Sequence, residues 1–311
     1  MEQEYSRWLS HVAESDLLSQ LQTMSEQERR EAFCCDLSFG TGGLRGIVGA
    51  GTNRMNIYTV RRATQGLANY LKAQKLPMSA AIAHDSRLYG RTFAETAACV
   101  LAANGIKVYL YPRLEPTPAL SWAVRRYACG AGICITASHN PAQYNGYKVY
   151  WEDGAQLPPR HADEVAKKMK ELDVFTGVKT MPYDQEVAQG KITIMGQETD
   201  EAFLSHVMAQ VNDRAAVEKV ADTFKMVYTP FHGTGYKLIP EALRRLGMKH
   251  VICVPEQMVI DGNFPTVVSP NPENPEGFYL AVDIAKREGA DFILGSDPDA
   301  DRVGIMVNTG N

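Results

Sequence analysis

The sequence lacks a hydrophobic run long enough to cross a membrane. Its longest nearly apolar stretch, residues 128–137, falls far short of the roughly 20 residues that a membrane-spanning helix needs. The opening segment, MEQEYSRWLS, has neither the basic block nor the apolar block of a signal peptide. These absences exclude an integral membrane protein and predict a soluble, cytoplasmic one.

A concentrated positive charge is also missing. The 32 lysines and arginines are outnumbered by 36 aspartates and glutamates, the net charge is −4, and no long basic run occurs. Nucleic acids and membrane surfaces attract proteins through dense positive charge, so neither is expected as a partner. Single basic residues remain available to bind a small anion.

Cysteine is sparse and follows no recognisable pattern. The sequence has no C-x-x-C pair and no histidine spacing typical of a zinc site. We therefore expect free thiols in a reducing compartment and exclude a disulfide scaffold. The six cysteines lie at positions 34, 35, 99, 129, 134 and 253.

The composition that remains is that of a globular protein. With 45% hydrophobic and 22% charged residues, the chain is neither disordered nor fibrous. Its 311 residues predict two domains at about 150 residues per domain.

Hydrophobic periodicity predicts an N-terminal helical segment followed by alternating strands and helices. Tyr5, Trp8 and Val12 recur at helical spacing, and Ser25 with Glu28 forms a capping box for a second helix. Beyond the glycine-rich residues 39–56, apolar strands alternate with amphipathic helices, as in βαβ units. Strands are predicted at 80–83, 106–111, 133–136, 224–229, 250–254, 292–295 and 303–307.

The predicted fold class is α/β, with two tandem, topologically similar domains whose mixed sheets are flanked by helices. We expect the first domain at 1–198, including the N-terminal helices, and the second at 199–311. In each half a helix, a Gly-Ala pair and an apolar strand lead into a polar loop, TASHNP in one and SDPDADR in the other. Ligands of open α/β sheets bind at such strand ends.

The second polar loop carries three alternating carboxylates, Asp297, Asp299 and Asp301. Oxygen-only ligands with no nearby histidine or cysteine favour Mg²⁺ over zinc. The loop is not an EF-hand, because Arg302 stands where that motif needs glycine. A solvated acidic turn is the alternative interpretation. Arg302 adds a fixed positive charge suited to a phosphoryl group.

The first polar loop places the hydroxyl of Ser138 on a tight turn. Asn140 and Pro141 restrict the backbone of this turn. Ser138 is a candidate covalent carrier. The loop lacks the G-x-S-x-G pattern, and His139 is expected to point away from Ser138 if the backbone stays extended. The alternative is a turn with a structural role only.

Two basic residues complete the candidate chemistry. Lys148 lies in a strand pattern among aromatic residues. One interpretation is a surface lysine with its charged end in solvent, and the other is a partly desolvated lysine that exchanges protons. Arg45 lies in FGTGGLRG, residues 39–46, where glycines let the backbone approach an anion. The HDSR turn at 84–87 and the FHGTG turn at 231–235 are interpreted as mainly structural.

Five segments together resemble the α-D-phosphohexomutase superfamily, and most closely its bacterial phosphoglucomutase branch, which is close to phosphopentomutases. The resemblance covers nearly the whole chain. The segments are FGTGGLRG, TASHNPAQYNGYKVY, YTPFHGTG, DGNFPTVVSPNPENPEG and SDPDADRVGI, in this order.

The resemblance implies a reaction in which a phosphoserine converts glucose 1-phosphate to glucose 6-phosphate through glucose 1,6-bisphosphate. It implies that Ser138 is the phosphoserine and that Lys148 exchanges a proton with the sugar, with His139 lining the same turn. The remaining implied roles are Mg²⁺ ligation by Asp297, Asp299, Asp301 and the Ser138 phosphate, and phosphoryl binding by Arg45, Arg302 and Asn140.

The sequence departs from this family at its C-terminal end. Family members have four domains, with a G-E-x-S sugar-selecting loop in the third and an Arg-Ser-Gly-Thr phosphate loop in the fourth, and neither motif occurs here. We therefore expect the first two domains of a longer enzyme, with little activity alone. The alternatives are a phosphomannomutase or phosphopentomutase of the same family, a Mg²⁺-dependent phosphatase of the haloacid dehalogenase type, and a non-catalytic sugar-phosphate binding module.

Overall fold

A computed structural model describes residues 1–40, 42–74 and 76–310. Thr41 of the FGTGGLRG stretch and Asn311 lie outside the described residues. Two mixed β-sheets, one in each half of the chain, are flanked by helices, so the predicted fold class is confirmed. Within the described residues, no helix has the combination of length and apolar character that crossing a membrane requires.

Three short helices open the chain, one more than the pattern predicted: α1 (Glu2–His11), α2 (Ser15–Thr23) and α3 (Glu26–Phe33). The predicted capping box is confirmed at α3. The Ser25 amide donates to the Glu28 carboxylate at 2.7 Å, and the Glu28 amide donates to Ser25 Oγ at 3.3 Å. Trp8 is fully buried and packs edge-on against Phe33, which attaches α1 to α3.

The first sheet has six strands in the order β1-β5-β4-β2-β3-β6. Strands β2, β3, β4 and β6 are parallel to one another, whereas β5 runs antiparallel to both of its neighbours, β4 and β1. The strands are β1 (Gly43–Ile47), β2 (Ser79–His84), β3 (Lys107–Leu110), β4 (Ala131–Ile135), β5 (Tyr144–Trp151) and β6 (Ile192–Ile194). The helices between them are α4 (Ile57–Gln74), α5 (Gly90–Ala103), α6 (Thr117–Arg126), α7 (Pro159–Lys170) and α8 (Tyr183–Ala188).

Strand β1 was not predicted, because glycines hide its pattern. A Cβ at Gly43 would lie 1.8 Å from the carbonyl oxygen of Tyr147 on the paired strand, so only glycine allows this close approach. The glycine-rich segment is therefore a strand at the edge of the sheet, and it places Arg45 on that edge.

The second sheet has four strands in the order β10-β9-β7-β8, with β10 antiparallel to β9 and the others parallel. The strands are β7 (Lys225–Thr229), β8 (His250–Cys253), β9 (Phe292–Ser296) and β10 (Val303–Val307). The helices are α9 (Gln197–Met208), α10 (Arg214–Val220), α11 (Gly235–Arg245) and α12 (Tyr279–Glu288), the last preceded by a 3₁₀ turn, Pro275–Phe278. All seven strands predicted by number are present, within two residues at each end.

The two sheets share a topological feature that positions the site. In the first, the TASHNP loop joins β4 to the antiparallel β5, and in the second the SDPDADR loop joins β9 to the antiparallel β10. The first sheet ends at Ile194, and α9 contacts both α6 and α11. A boundary near 198 stays a prediction, since α9 packs against helices of both halves.

Candidate active site

Ser138 follows β4 with its backbone in the left-handed region, at φ 54°. That conformation is uncommon for a residue with a side chain and needs support from its surroundings. The Ser138 amide donates to Thr136 Oγ1 at 2.8 Å, and the Thr136 hydroxyl donates to the buried carboxylate of Asp85 at 2.6 Å. The Ser138 hydroxyl then reaches the second domain, where it donates to Asp297 Oδ2 at 2.8 Å.

The same turn determines the position of His139. His139 was expected to point away from Ser138 only if the backbone stayed extended, and the backbone is not extended there. The left-handed residue brings His139 Nδ1 to 3.2 Å from Ser138 Oγ. Burial, together with the charges of Arg302 and Arg45, lowers the pKa of His139, so the ring is neutral at neutral pH.

The three carboxylates of the acidic loop converge, with one oxygen of each lying within 4.8 Å of the others. Asp297 Oδ1 accepts the backbone amides of Asp301 at 3.2 Å and Arg302 at 3.1 Å, which folds the loop around this oxygen. Asp299 Oδ2 accepts the Lys148 ammonium at 2.7 Å and the Thr117 hydroxyl at 3.1 Å, both from the first domain. The cluster is therefore built from both domains.

Burial makes the negative charge of this cluster unfavourable. Burial, reinforced by the neighbouring Asp299, raises the pKa of Asp297 above its usual range. Asp299 is also buried, yet its pKa is lowered, because the charge of Lys148 and the hydrogen bonds with Asp297, Lys148 and Thr117 together outweigh the desolvation. The two neighbouring carboxylates therefore have pKa shifts in opposite directions.

The donor set fits a hard divalent cation. Asp299 Oδ1 is buried and accepts no hydrogen bond from any described residue, so a ligating oxygen is free. Carboxylate and hydroxyl oxygens are the ligands that Mg²⁺ prefers. The residues that can hold such an ion are Asp297, Asp299 and Asp301, with Ser138 facing them.

Lys148 lies on β5, where the strand pairing places it beside Cys134 of β4 and Gly43 of β1. Its Nζ donates to Asp299 Oδ2 at 2.7 Å and to Asp301 Oδ2 at 3.3 Å. Burial opposes its charge, but the two carboxylates outweigh burial and raise the pKa of Lys148 above its ordinary value. Lys148 is a buried ammonium that donates hydrogen bonds to two carboxylates.

The two candidate phosphoryl-binding arginines come from different domains. Arg45 donates Nη1 to Asn140 Oδ1 at 3.1 Å, which holds it against the Ser138 loop. Arg302 instead donates Nη1 to Glu273 Oε1 at 3.1 Å, and 42% of its side chain is exposed. Arg302 therefore lies at the rim of the site and is bound to Glu273, whereas Arg45 contacts the loop directly.

Arg87, in the turn interpreted as mainly structural, organises the whole Ser138 loop. Its side chain is fully buried beside Asp85, with Nε 3.3 Å from Oδ2. The Phe264 ring of the second domain covers the guanidinium at 5.1 Å. The guanidinium donates to four backbone carbonyls of the loop, those of Ser138, Asn140, Pro141 and Tyr144. Strands β2 and β4 are parallel neighbours, so the loops that follow them lie side by side. This pairing is the signal that could have identified Arg87, which follows β2, as a partner of the Ser138 loop, which follows β4.

The serine loop of one α/β domain and the acidic loop of the other face each other at this site. Two family models match the chain: phosphoglucomutase/phosphomannomutase α/β/α domain I at residues 36–174, and domain II at residues 201–310. The chain belongs to the phosphoglucomutase/phosphomannomutase family.

Curated relatives agree with this assignment, and solved structures share the fold. A phosphoglucomutase of Staphylococcus saprophyticus is 36% identical over 304 residues, which cover 98% of this chain and 54% of the relative. A solved structure from Thermus thermophilus matches the fold with a TM-score of 0.74, at 24% identity, over 89% of this chain and 58% of that one. A family protein from Burkholderia thailandensis matches with a TM-score of 0.68, at 22% identity, over 86% and 54%. The chain spans about half the length of the curated relatives it matches.

Proposed function

We propose that this chain carries the phosphoserine and metal-binding part of a phosphoglucomutase, which interconverts glucose 1-phosphate and glucose 6-phosphate through glucose 1,6-bisphosphate. One observation carries the proposal: Ser138 Oγ lies 2.8 Å from Asp297 Oδ2, so the hydroxyl of one domain meets the carboxylates of the other. Curated relatives named phosphoglucomutase support the choice of sugar phosphate.

These contacts support a route by which the serine is loaded. Ser138 Oγ attacks a phosphorus of the bisphosphate, the Oγ–P bond forms, and the bond between that phosphorus and the sugar oxygen breaks. The hydroxyl proton passes to Asp297 Oδ2, which already accepts it as a hydrogen bond. Lys148 donates a proton to the departing sugar oxygen, and the reverse transfer returns it.

Charge neutralisation is the second requirement, because phosphoryl transfer depends on positioning and electrostatics more than on covalent chemistry. Asp297, Asp299 and Asp301 would hold Mg²⁺, which when bound would supply positive charge to offset the charge of the phosphoryl group. Arg45 and Asn140, already bonded at 3.1 Å, bind the same group from the first domain. Arg302 joins them when its exposed guanidinium releases Glu273.

The chain alone is expected to load Ser138 but to complete few mutase cycles. A full cycle requires the bisphosphate to turn around while it is held. The matched relatives are nearly twice as long, and we propose that a chain of that length makes further contacts with the far end of the sugar. Loss of such positioning removes a proximity effect that is worth roughly 7 to 11 kcal/mol of barrier.

A loading experiment tests the proposed function on the chain as it is. The protein is incubated with Mg²⁺ and glucose 1,6-bisphosphate and then analysed by intact-mass spectrometry and peptide mapping. We expect one phosphoryl group on the peptide that contains TASHNP, and none in Ser138→Ala. Ser121→Ala is a matched control, since Ser121 lies in the same domain and its hydroxyl donates to the Gly154 carbonyl, away from the site. Equal phosphorylation of Ser138→Ala would refute the proposal.

The location inferred for the protein is the cytoplasm. All six cysteines are free thiols, which supports a reducing compartment. Sugar phosphates are the partners implied by the proposed reaction.

A further inference from the structure

Cys34 and Cys35 form an adjacent pair of exposed thiols outside the candidate active site. They follow α3 directly, and their Sγ atoms lie 3.6 Å apart on the same side of the turn. The other four cysteines are less accessible: Cys99, Cys129 and Cys134 are buried, and Cys253 is partly buried. A thiol-seeking compound therefore meets Cys34 and Cys35 first.

The turn that carries the pair is held in place by hydrogen bonds. The side-chain amide of Asn53 donates to Cys34 Sγ at 3.5 Å and to the Glu31 carbonyl at 3.1 Å, so it orients the sulfur. The Thr52 hydroxyl donates to the carbonyl of Cys35 at 2.8 Å. These contacts organise both thiols before any ligand arrives, which reduces the entropy lost on binding.

Geometry disfavours a disulfide between these two residues. Consecutive Cα atoms lie about 3.8 Å apart, whereas disulfides need a Cα separation of at least about 4.4 Å without strain. By contrast, two sulfurs bound to one atom by bonds of about 2.3 Å, at the angles of about 95° to 109° found in pyramidal and tetrahedral centres, lie about 3.4 to 3.8 Å apart. The observed 3.6 Å falls in this range, so the two sulfurs can bind one atom between them with little movement.

We propose that Cys34 and Cys35 together bind a single thiophilic centre, best matched by a trivalent organoarsenical. A structural zinc ion requires about four protein ligands. Among the described residues the acidic triad is the only cluster of three or more ligating side chains, so Cys34 and Cys35 act as a pair. The nearest acidic residue in sequence, Asp36, is bound to Arg62 at 2.7 Å. An organoarsenic(III) centre needs only two thiols.

The binding reaction is balanced without an oxidant or reductant. An arsenic oxide R–As=O takes two thiols, two As–S bonds form, and the bond from arsenic to oxygen breaks. Both thiol protons leave with that oxygen as water. The hydrogen bond that the Cys35 thiol donates to Cys34 Sγ raises the pKa of Cys35, so this thiol reacts in its protonated form and its proton is among those that leave as water.

Titration with phenylarsine oxide, followed by intact-mass spectrometry and peptide mapping, tests the site. We expect one arsenical on the peptide that contains residues 34 and 35, stable to excess 2-mercaptoethanol and removed by 1,2-ethanedithiol. Cys34→Ser and Cys35→Ser should each weaken binding by roughly a hundredfold, because the second bond is lost. Cys253→Ser, which leaves the pair intact, should bind like wild type.

Two results would overturn the inference. One is an adduct of undiminished affinity in both single serine variants, and the other is an arsenical located on Cys253. Cadmium ion serves as a comparison probe, and we expect it to bind more weakly than the arsenical because it needs further ligands. Tighter binding of cadmium, abolished by Cys34→Ser, would show that the pair belongs to a metal site instead. Circular dichroism of each variant establishes that the fold is retained.

Discussion

Thr117 and Asp299 join the two domains through two hydrogen bonds. The Thr117 amide donates to the Asp299 carbonyl at 2.9 Å, and the Thr117 hydroxyl donates to Asp299 Oδ2 at 3.1 Å. Both residues are buried, with 4% and 0% of their surfaces exposed. The first turn of α6 therefore fixes one carboxylate of the acidic loop in position and orientation.

Replacing Thr117 by valine tests this contact, because valine keeps the shape and removes the hydroxyl. We expect the free energy of unfolding to fall by about 1 to 3 kcal/mol, since a hydrogen bond to a buried charged group is lost. Chemical denaturation measures the change. Thr117→Ser keeps the hydroxyl and should retain more of the stability, so equal losses in the two variants would mean that the contact contributes little.

Asp299→Asn tests the cation site. The substitution keeps the size of the side chain and removes one negative charge, so Mg²⁺ affinity should fall roughly tenfold or more in calorimetric titration. Asp283→Asn is the control, because Asp283 is an exposed carboxylate on α12 of the same domain. Equal Mg²⁺ affinity in Asp299→Asn and wild type would place the ion elsewhere.

Arg87 is expected to position the Ser138 loop. Substituting it by methionine removes the charge of the side chain, whereas substituting it by lysine keeps the charge and removes the guanidinium geometry. Arg87→Met leaves buried Asp85 unpaired and should cost about 3 to 5 kcal/mol of stability. Arg87→Lys keeps the charge but cannot bind four carbonyls, so the rate of Ser138 loading at saturating bisphosphate should fall roughly tenfold to a hundredfold.

Arg91→Lys is the control for Arg87, because Arg91 is exposed and pairs with Glu95 on the surface of α5. This control should load Ser138 at the wild-type rate. A loading rate for Arg87→Lys that matches the control would contradict the positioning role, whatever its effect on stability.

Glu115 should make stability fall as pH rises. Burial, then the nearby Asp200, raises the pKa of Glu115 to about 8, although Arg113 Nε lies 3.0 Å from its carboxylate. Between the ordinary pKa of a glutamate and this raised pKa, Glu115 keeps its proton in the folded protein but loses it in the unfolded chain. The free energy of unfolding therefore falls between about pH 5 and pH 8, by up to about 1.4 kcal/mol per pH unit.

Denaturation of Glu115→Gln across this pH range measures the effect. The variant cannot ionise at this position, so its advantage over wild type should grow from pH 5 to pH 8 and vanish near pH 4. Lys237→Met provides a check on the surrounding charges, since Lys237 binds Asp200 at 2.7 Å. Parallel pH profiles for wild type and Glu115→Gln would exclude Glu115 as the titrating group.

The strands and the two polar loops follow from local sequence patterns, since alternation and turn residues act over a few positions. Strand β9 and its acidic loop were predicted in this way, as was the strand before Ser138. Strand β1 was not, because its glycines are explained only by the close approach of Tyr147. Pairing between distant segments leaves no local signal.

The geometry around Ser138 was predicted less well for a related reason. The left-handed turn at Ser138 is supported by contacts from Thr136, Asp85 and Arg87, which lie on two different strand ends. An extended backbone would direct His139 away from Ser138, and the local pattern does not reveal the left-handed turn that brings the two side chains together. It named Arg302 by its position beside the carboxylates, but its ion pair with Glu273 depends on a loop of the second domain.

Because both domains contribute to the acidic cluster, cation binding and docking of the two domains are linked equilibria. Lys148 and Thr117 belong to the first domain and bind Asp299 of the second, so the carboxylates have this arrangement only when the domains are docked. A cation that prefers the docked arrangement must favour docking by the same free energy. Interdomain separation, observed by small-angle scattering or by distance labels, should therefore decrease as Mg²⁺ is added, and the apparent ion affinity becomes a measure of how firmly the domains hold together.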